Sequence, residues 1–135
     1  MIVDTSVIIA LMREESETAW IIPILVAQYG HLKISTANYL EAAIVIDANK
    51  DEVLSERLDM VLAHFGVEMV SVSEHHVRRA REAYAAYGKG NHPARLNYGD
   101  CFAYALAQAT GDSLLFKGDD FSKTDVSNGR YSAQA

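Results

Sequence analysis

The chain has 135 residues, of which 50% are hydrophobic and 22% charged, and its formal net charge is −6. This length fits one domain, and the balance of apolar and charged residues supports a packed core and excludes a disordered chain or a coiled coil. Because Cys101 is the single cysteine and the first residues lack the segments of a signal peptide, we expect a cytoplasmic protein without a membrane anchor.

The negative charge is unevenly distributed along the chain. Residues 75–98 carry five cations and one acid, a local charge of +4, so the other residues sum to −10. Phosphate-binding surfaces are usually basic, which makes this segment the candidate for nucleic-acid contact. The candidate contacts are Arg78, Arg81, Lys89 and Arg95, although a solvated helix face and a plain surface loop explain them equally well.

The predicted elements of the first half alternate between strands and helices. A short apolar strand at residues 1–4 ends in Asp4, and Thr5 and Ser6 can cap a helix at residues 7–11. Next come a helix at 16–29, a strand at 32–35, a helix at 37–49 capped by Thr36, a helix at 51–65 and a strand at 67–72. The apolar residues of the helix at 37–49 are Leu40, Ala43, Ile44 and Ala48, and those of the helix at 51–65 are Leu54, Leu58, Val61, Leu62 and Phe65.

The second half continues this alternation. It is predicted to form a helix at 73–87, a loop at 88–97, a buried helix at 99–110, a strand at 113–116 and a short last strand near 124–126. Residues 127–135 are small and polar, so we expect a frayed tail after a folded unit of residues 1–126. The fold class is therefore α/β, a three-layer α/β/α sandwich with a parallel central sheet, in which ligands bind outside the carboxyl ends of the strands.

Acidic residues lie at the carboxyl ends of the predicted strands or about one helical turn beyond them. They are Asp4, Glu41, Asp100 and the adjacent pair Asp119 and Asp120. Each alone can be explained as a helix cap, a first-turn acid or a turn residue. Glu41 and Asp100, however, lie within apolar runs, with no lysine or arginine one helical turn away. Acids in such surroundings need a compensating positive charge, and a divalent cation with oxygen ligands compensates several at once.

Four segments of the chain resemble the motifs of PIN domains, particularly those of VapC-type toxins. They are MIVDTS at 1–6, TANYLE at 36–41, NYGDCFAYALA at 97–107 and LLFKGDDF at 114–121. The resemblance extends from residue 1 to about residue 126. It implies a metal-dependent endoribonuclease that cleaves structured RNA, is the toxin of a toxin–antitoxin pair, forms a homodimer and is blocked by a VapB-like antitoxin.

The resemblance also assigns roles to single residues. Asp4, Glu41, Asp100 and Asp119 become the catalytic acids, and Asp4 and Asp100 become direct ligands of Mg²⁺, for which Mn²⁺ could substitute. Ser6 would hold Asp4 or a bound water, and Asp120 is the alternative to Asp119. In the implied mechanism a water activated by the metal attacks the phosphodiester and leaves a 5′-phosphate and a 3′-hydroxyl.

Other interpretations fit parts of the sequence. The domain could bind RNA or a protein without catalysis, or it could be a nuclease that prefers DNA. A signalling receiver would need an acidic pair after the first strand, and a haloacid-dehalogenase phosphatase would need an aspartate where Ser6 stands, so both are excluded. Cys101 is predicted to be a core residue. Four apolar residues of the second helix could form a dimer interface or belong to the core: Trp20, Ile21, Ile24 and Leu25.

Overall fold

A parallel sheet forms the centre of the fold. The computed structural model describes residues 1–132 and contains the strands β1 (Ile2–Val3), β2 (Leu32–Ser35), β3 (Val67–Val70) and β4 (Leu114–Leu115). Their order in space is β3-β2-β1-β4, and every pairing is parallel. The chain moves outward from β1 to β3 and then returns to the opposite side of β1. This reversal creates a topological switch point between β1 and β4, where ligands of such sheets bind.

Helices connect and flank these strands. Within residues 1–132 they are α1 (Thr5–Met12), α2 (Thr18–Ala27), α3 (Thr36–Asp47), α4 (Glu52–His64), α5 (Glu74–Tyr87), α6 (Tyr98–Thr110) and α7 (Gly129–Ser132), with a 3₁₀ turn at Phe121–Lys123. None of these helices has the length and apolar character that crossing a membrane requires.

Local capping sets where several helices begin. Asp51 accepts hydrogen bonds from the first backbone N–H groups of α4, and Ser73 forms a reciprocal capping box with His76 at the start of α5. The predicted cap of α3 is wrong by one residue. Ser35 accepts the bond from the Ala37 N–H, at 3.2 Å, and Thr36 is the first helical residue.

The strands divide the core into two layers because their side chains alternate between the faces of the sheet. Val3 and Leu115 pack into a hydrophobic cluster with α1, α2, α3 and α4. Ile2 and Leu114 point the other way, into a cluster built mainly from α5 and α6. Helices therefore cover both faces of a parallel sheet, which confirms the predicted three-layer α/β/α sandwich.

The C-terminal segment differs from its prediction. The strand expected near 124–126 is wrong, because residues 121–123 form a 3₁₀ turn and the Thr124 hydroxyl donates back to the Phe121 carbonyl at 2.7 Å. Residues 127–132 of the expected tail lie along β4: the Ser127 carbonyl accepts from the Leu114 N–H at 2.9 Å, and α7 follows. The pairing is made by backbone groups, which a polar composition does not reveal. Residues 133–135 of that tail lie outside the described residues.

The buried faces of two helices also differ from expectation. In α3 the buried residues are Asn38, Ala42 and Ile46, whereas Leu40 and Ile44 are 57% and 60% exposed, so the predicted apolar face of this helix is wrong. In α2, Ile21, Ile24 and Leu25 are buried in the core, which removes them from any dimer interface. The prediction for α4 agrees with the structure, since Leu58 and Leu62 are buried on its inner face.

Candidate active site

Asp4 lies at the carboxyl end of β1, where it is 4% exposed and caps α1. Its Oδ2 accepts hydrogen bonds from the Ser6 hydroxyl at 2.6 Å and from the Ser6 N–H at 3.0 Å. The Ser6 hydroxyl oxygen in turn accepts from the Lys117 N–H at 3.0 Å, so the loop after β4 holds Ser6 and Ser6 holds Asp4. The other oxygen, Oδ1, is buried without a hydrogen-bond partner among the described residues.

Burial raises the pKa of the Asp4 carboxyl above its ordinary value. The hydrogen bonds from Ser6 oppose this shift, and the negative charge of Glu41 adds to it. The protein therefore compensates the ionised form of Asp4 only in part.

Glu41 occupies space that a glycine leaves free. Glu41 lies in the second turn of α3, and its carboxylate lies directly against the backbone of Gly99 at the start of α6. A Cβ added at residue 99 would overlap all three atoms of that carboxylate. The close approach of α3 and α6 thus brings Glu41 beside the residue that precedes Asp100.

Asp100 is the third residue of α6 and takes part in its capping box. Its Oδ2 accepts from the Asn97 N–H at 3.0 Å, and the Asn97 Oδ1 accepts from the Asp100 N–H at 2.9 Å. Burial raises the pKa of Asp100 to about 7, the Asn97 bond opposes the shift, and the charges of Asp4, Glu41 and Asp120 raise it further. The acids that are distant in sequence therefore converge on one another.

The two adjacent acids after β4 have different surroundings. Asp120 is close enough to Asp100 to raise the pKa of its carboxyl. Asp119 instead lines a polar pocket together with Trp20 and Arg130. Both acids are exposed.

Asn38 is a site residue to which sequence reasoning assigned no role. It is fully buried in α3, and its Nδ2 donates to the Gly99 carbonyl at 2.9 Å and to the Thr5 hydroxyl at 3.2 Å. The Thr5 hydroxyl donates to the Asn38 carbonyl at 3.2 Å. Because Thr5 and Gly99 are the neighbours of Asp4 and Asp100, this side chain fastens together the three elements that carry the acids. The signal that could have identified Asn38 is its spacing: it lies four residues before Ala42 and eight before Ile46, on the same face of the helix.

Within residues 1–132, protein cations do not neutralise the acids. Among residues 1–132, no ion pair includes Asp4, Glu41, Asp100, Asp119 or Asp120. In the same range, no three acid, histidine or cysteine side chains form a ready-made metal-ligand group. Mg²⁺ usually binds one or two carboxylates and keeps several waters, so a site of this kind does not require three. The buried, unpartnered Oδ1 of Asp4 and the raised pKa of Asp100 fit a divalent ion.

The predicted RNA contacts are not gathered around these acids. Arg78 pairs with Glu74 at 2.7 Å on the exposed side of α5. Arg81 lines an apolar groove between α5 and α6, and Lys89 and Arg95 are exposed in the loop that follows α5. Their role in RNA binding stays a prediction.

Cys101 is buried, as the sequence indicated. Burial raises the pKa of its thiol to about 11, and the charge of Asp100 adds to the shift. At neutral pH this residue is a thiol of the core and not a nucleophile.

Known proteins resemble this chain in sequence over almost its whole length. The family model described as "PIN domain" matches residues 1–127. The VapC ribonuclease Mb0640 of Mycobacterium bovis is 44% identical over 126 residues, which cover 93% of this chain and 95% of that protein. A ribonuclease VapC of Mycolicibacterium smegmatis is 45% identical over 126 residues, which cover 93% of this chain and 97% of the relative.

Solved structures resemble the fold at much lower sequence identity. VapC20 of Mycobacterium tuberculosis, described as a sarcin-ricin loop cleaving toxin, superposes with a TM-score of 0.74 at 15% identity and covers 93% of this chain and 95% of that chain. A chain of a toxin–antitoxin complex from Klebsiella pneumoniae gives a TM-score of 0.70 at 19% identity, over 92% of both chains. The family predicted from four short motifs is confirmed: the chain belongs to the PIN-domain family, among the VapC ribonucleases.

Proposed function

We propose that this ribonuclease is a divalent-metal-dependent endoribonuclease that acts as the toxin of a toxin–antitoxin pair. The observation that carries the proposal is the convergence of Asp4, Glu41, Asp100 and Asp120 without a protein cation among residues 1–132. Uncompensated carboxylates are costly in the folded state, and their retention is explained by a ligand that carries positive charge.

Asp4 and Asp100 are the residues that would hold this ion, with Mg²⁺ as the expected species and Mn²⁺ as a substitute. When bound, the ion supplies positive charge and lowers the pKa of a coordinated water. Ser6 fixes the orientation of Asp4 through its hydroxyl, which leaves Oδ1 free. Glu41 would orient water and accept a proton from it.

The fourth acid is better assigned to Asp120 than to Asp119. The support is electrostatic, since Asp120 acts on the carboxyl of Asp100, whereas Asp119 faces the pocket that contains Arg130. Exchange of each residue for asparagine separates the two assignments: Asp120→Asn should lower the rate of RNA cleavage more than Asp119→Asn.

The substrate and the partners are inferred from relatives. The similar proteins are named ribonucleases, and one structural neighbour belongs to a toxin–antitoxin complex. We therefore expect an RNA substrate, a VapB-like antitoxin and action in the cytoplasm. A DNA substrate tested beside RNA distinguishes this proposal from a DNA-preferring nuclease.

A homodimer would form through the outer surface of α3 and α6. Leu40 and Ile44 are more than half exposed, and together with Tyr98 and Phe102 they line an apolar groove of about 260 Å³ between these helices. Tyr98 and Phe102 also line the apolar groove between α5 and α6, so the apolar surface is continuous across α6. Contiguous apolar surfaces of this kind commonly mark protein interfaces.

Analytical ultracentrifugation tests this surface. Ile44→Glu places a charge in the groove and should convert a dimer to a monomer, because an unpaired charge is costly at an apolar interface. Met60→Glu is the matched control, since Met60 is equally exposed but lies on α4. A wild-type protein that sediments as a monomer, or a dimer that persists in Ile44→Glu, would contradict the assignment.

Cleavage of purified total RNA tests the central proposal. Activity should disappear in EDTA, return with Mg²⁺, and be lost in Asp4→Asn. Asp47→Asn is the matched control, because Asp47 is exposed at the opposite end of α3 from the site. Activity that persists in EDTA would exclude a divalent-metal-dependent nuclease.

A further inference from the structure

A small polar pocket adjoins the carboxylate cluster at the carboxyl end of β4. Its volume is about 180 Å³, and its lining includes Trp20, Asp119, Asn128, Arg130 and Tyr131. Pockets for drug-sized ligands measure roughly 300–1,000 Å³, so this one suits a single ring system. Asp119 connects it to the active site, because the next residue, Asp120, acts on the pKa of Asp100.

Arg130 is held in this pocket by aromatic rings. Its guanidinium carbon lies 4.2 Å from the ring centroid of Trp20 and 5.7 Å from that of Tyr131. Stacking on Trp20 uses a flat face of the guanidinium and leaves its N–H donors, which lie in the plane, available. No acceptor within residues 1–132 takes a hydrogen bond from this side chain, whose backbone N–H alone is bonded, to Asn128. The pocket therefore holds an oriented set of donors that no described residue uses.

Asp119 provides acceptors in the same pocket. Its carboxylate receives no hydrogen bond from the described part of the chain and forms no ion pair with Arg130 there. Its backbone carbonyl accepts hydrogen bonds from the hydroxyl and the N–H of Ser122. Opposite charges thus line one pocket without pairing. An occupant between them should offer acceptors to the guanidinium and donors to the carboxylate.

We propose that this pocket binds a guanine base of the RNA substrate. Among the RNA bases, guanine presents two acceptors, O6 and N7, on one edge and two adjacent donors, N1–H and the N2 amino group, on another. Arginine binds the first pair in a bidentate manner, and a carboxylate can accept from the second. Unstacked RNA bases are also commonly bound against aromatic rings, and Tyr131 is 62% exposed at the rim.

This assignment rests on the proposed function, since it names a feature of the RNA that the nuclease would recognise. It explains why two adjacent acids follow β4: Asp120 faces the carboxylate cluster, and Asp119 selects a base near the scissile bond.

The fluorescence of Trp20 provides a direct test, because this residue is the only tryptophan of the chain. The protein, in EDTA, is titrated separately with the 5′-monophosphates of guanosine, adenosine, cytidine and uridine. We expect guanosine monophosphate to change the emission at a concentration on the order of tenfold lower than the others require. Arg130→Lys, which keeps the charge but not the planar donor set, should weaken this binding.

Two asparagine variants make the test specific. Asp119→Asn should weaken the preference for guanine, because the amide has one acceptor oxygen instead of two and sets an NH2 donor against the donors of the guanine edge. Asp120→Asn should keep the preference while RNA cleavage falls. Asp119 is exposed, so its replacement leaves the core intact.

The possible outcomes separate the two proposals. An equal response to all four nucleotides, or no response of Trp20, overturns the guanine site and leaves the ribonuclease assignment untouched. A preference for guanine that Asp119→Asn retains in full also overturns it. Guanine-selective binding by a wild-type protein that does not cleave RNA supports the site and contradicts the ribonuclease proposal.

Discussion

The carboxylates near the two ends of α6 have opposite surroundings. At its start, Asp100 lies among Asp4, Glu41 and Asp120, and burial and like charge raise the pKa of its carboxyl to about 7. Beside its later turns, Asp125 accepts hydrogen bonds from the Tyr104 hydroxyl at 2.5 Å and from Gln108 at 3.5 Å. Asp125 is hydrogen-bonded by side chains and contributes to stability, whereas the carboxylates at the start of α6 repel one another and suit a cationic ligand. The helix thus separates a structural carboxylate from functional ones, and the difference lies in which acids have other negative charges beside them.

The largest effect is expected at the start of α6, where Asp100 lies. Asp100→Asn keeps an acceptor for the Asn97 N–H but removes the charge, so RNA cleavage should fall on the order of a thousandfold, the equivalent of several kcal/mol of lost charge stabilisation. In EDTA the same variant should melt at a higher temperature than the wild type, because a repelled, partly buried charge is gone. Cleavage assays and calorimetry measure the two effects. A lower melting temperature would contradict the claim that the charge of Asp100 destabilises the metal-free protein.

Asn38→Ala should produce the next largest effect. The change leaves the Gly99 carbonyl and the Thr5 hydroxyl without their bonds to the amide. We expect a loss of about 1–3 kcal/mol in the free energy of unfolding. A decrease of roughly 10–100-fold in kcat should accompany it, because residues that orient metal ligands have effects of this size. Chemical denaturation and steady-state kinetics provide the measurements, and unchanged kcat in the folded variant would restrict Asn38 to a structural role.

The pH dependence of metal binding should follow Asp100. The folded-state pKa is raised from 3.8 to about 7, so between these values the folded state binds the proton and the unfolded state does not. The stability of the metal-free protein should therefore fall as the pH rises through this range. Below the folded pKa, protons compete with the ion, and Mg²⁺ affinity should drop about tenfold per pH unit.

Melting curves recorded with and without Mg²⁺ test this linkage. The stabilisation by Mg²⁺ should be larger at pH 8 than at pH 5.5. In Asp100→Asn, the stability of the metal-free protein and the stabilisation by Mg²⁺ should both depend less on pH. Stabilisation by Mg²⁺ that grows toward acid pH would show that Asp100 is not the group that controls it.

The smallest effect is expected beside the later turns of α6, where Tyr104 contacts Asp125. Tyr104→Phe removes the hydroxyl that donates to Asp125 and should cost about 1 kcal/mol in unfolding free energy. RNA cleavage should stay unchanged, because this bond lies outside the carboxylate cluster. A thermal melt and a cleavage assay of the same preparation suffice. Loss of activity at full stability would link the two ends of α6 and contradict their separation.

Much of the fold could be predicted from local sequence signals. The period of the apolar residues placed most helix ends within one or two residues, and the structure caps α4 with Asp51 and α5 with Ser73 at the predicted starts. The face of α3 was misjudged, because its buried stripe contains the polar Asn38, while Leu40 and Ile44 are exposed. The segment after β4 was misjudged because its conformation depends on the backbone pairing of Ser127 with Leu114, which local propensity does not encode.

The active site was predictable to a similar degree. Acids placed after parallel strands must meet at one edge of the sheet, and the structure brings Asp4, Glu41 and Asp100 together there. The sequence favoured Asp119 over Asp120 as the fourth acid, but it does not show the directions of these side chains, which follow a turn at Gly118 with φ near +98°. The stacking of Arg130 on Trp20 was equally hidden, since it joins α7 to α2 across most of the chain length.

The contact between Gly99 and Glu41 makes Gly99 a position at which small substitutions should inactivate the protein. A single added methyl group at residue 99 would displace the Glu41 carboxylate, although the glycine is not needed for an unusual backbone angle. In cells that make this protein without the proposed antitoxin, survivors should therefore include alanine or serine replacements at Gly99. Such clones would still accumulate the folded polypeptide, which distinguishes them from survivors that have simply stopped producing it.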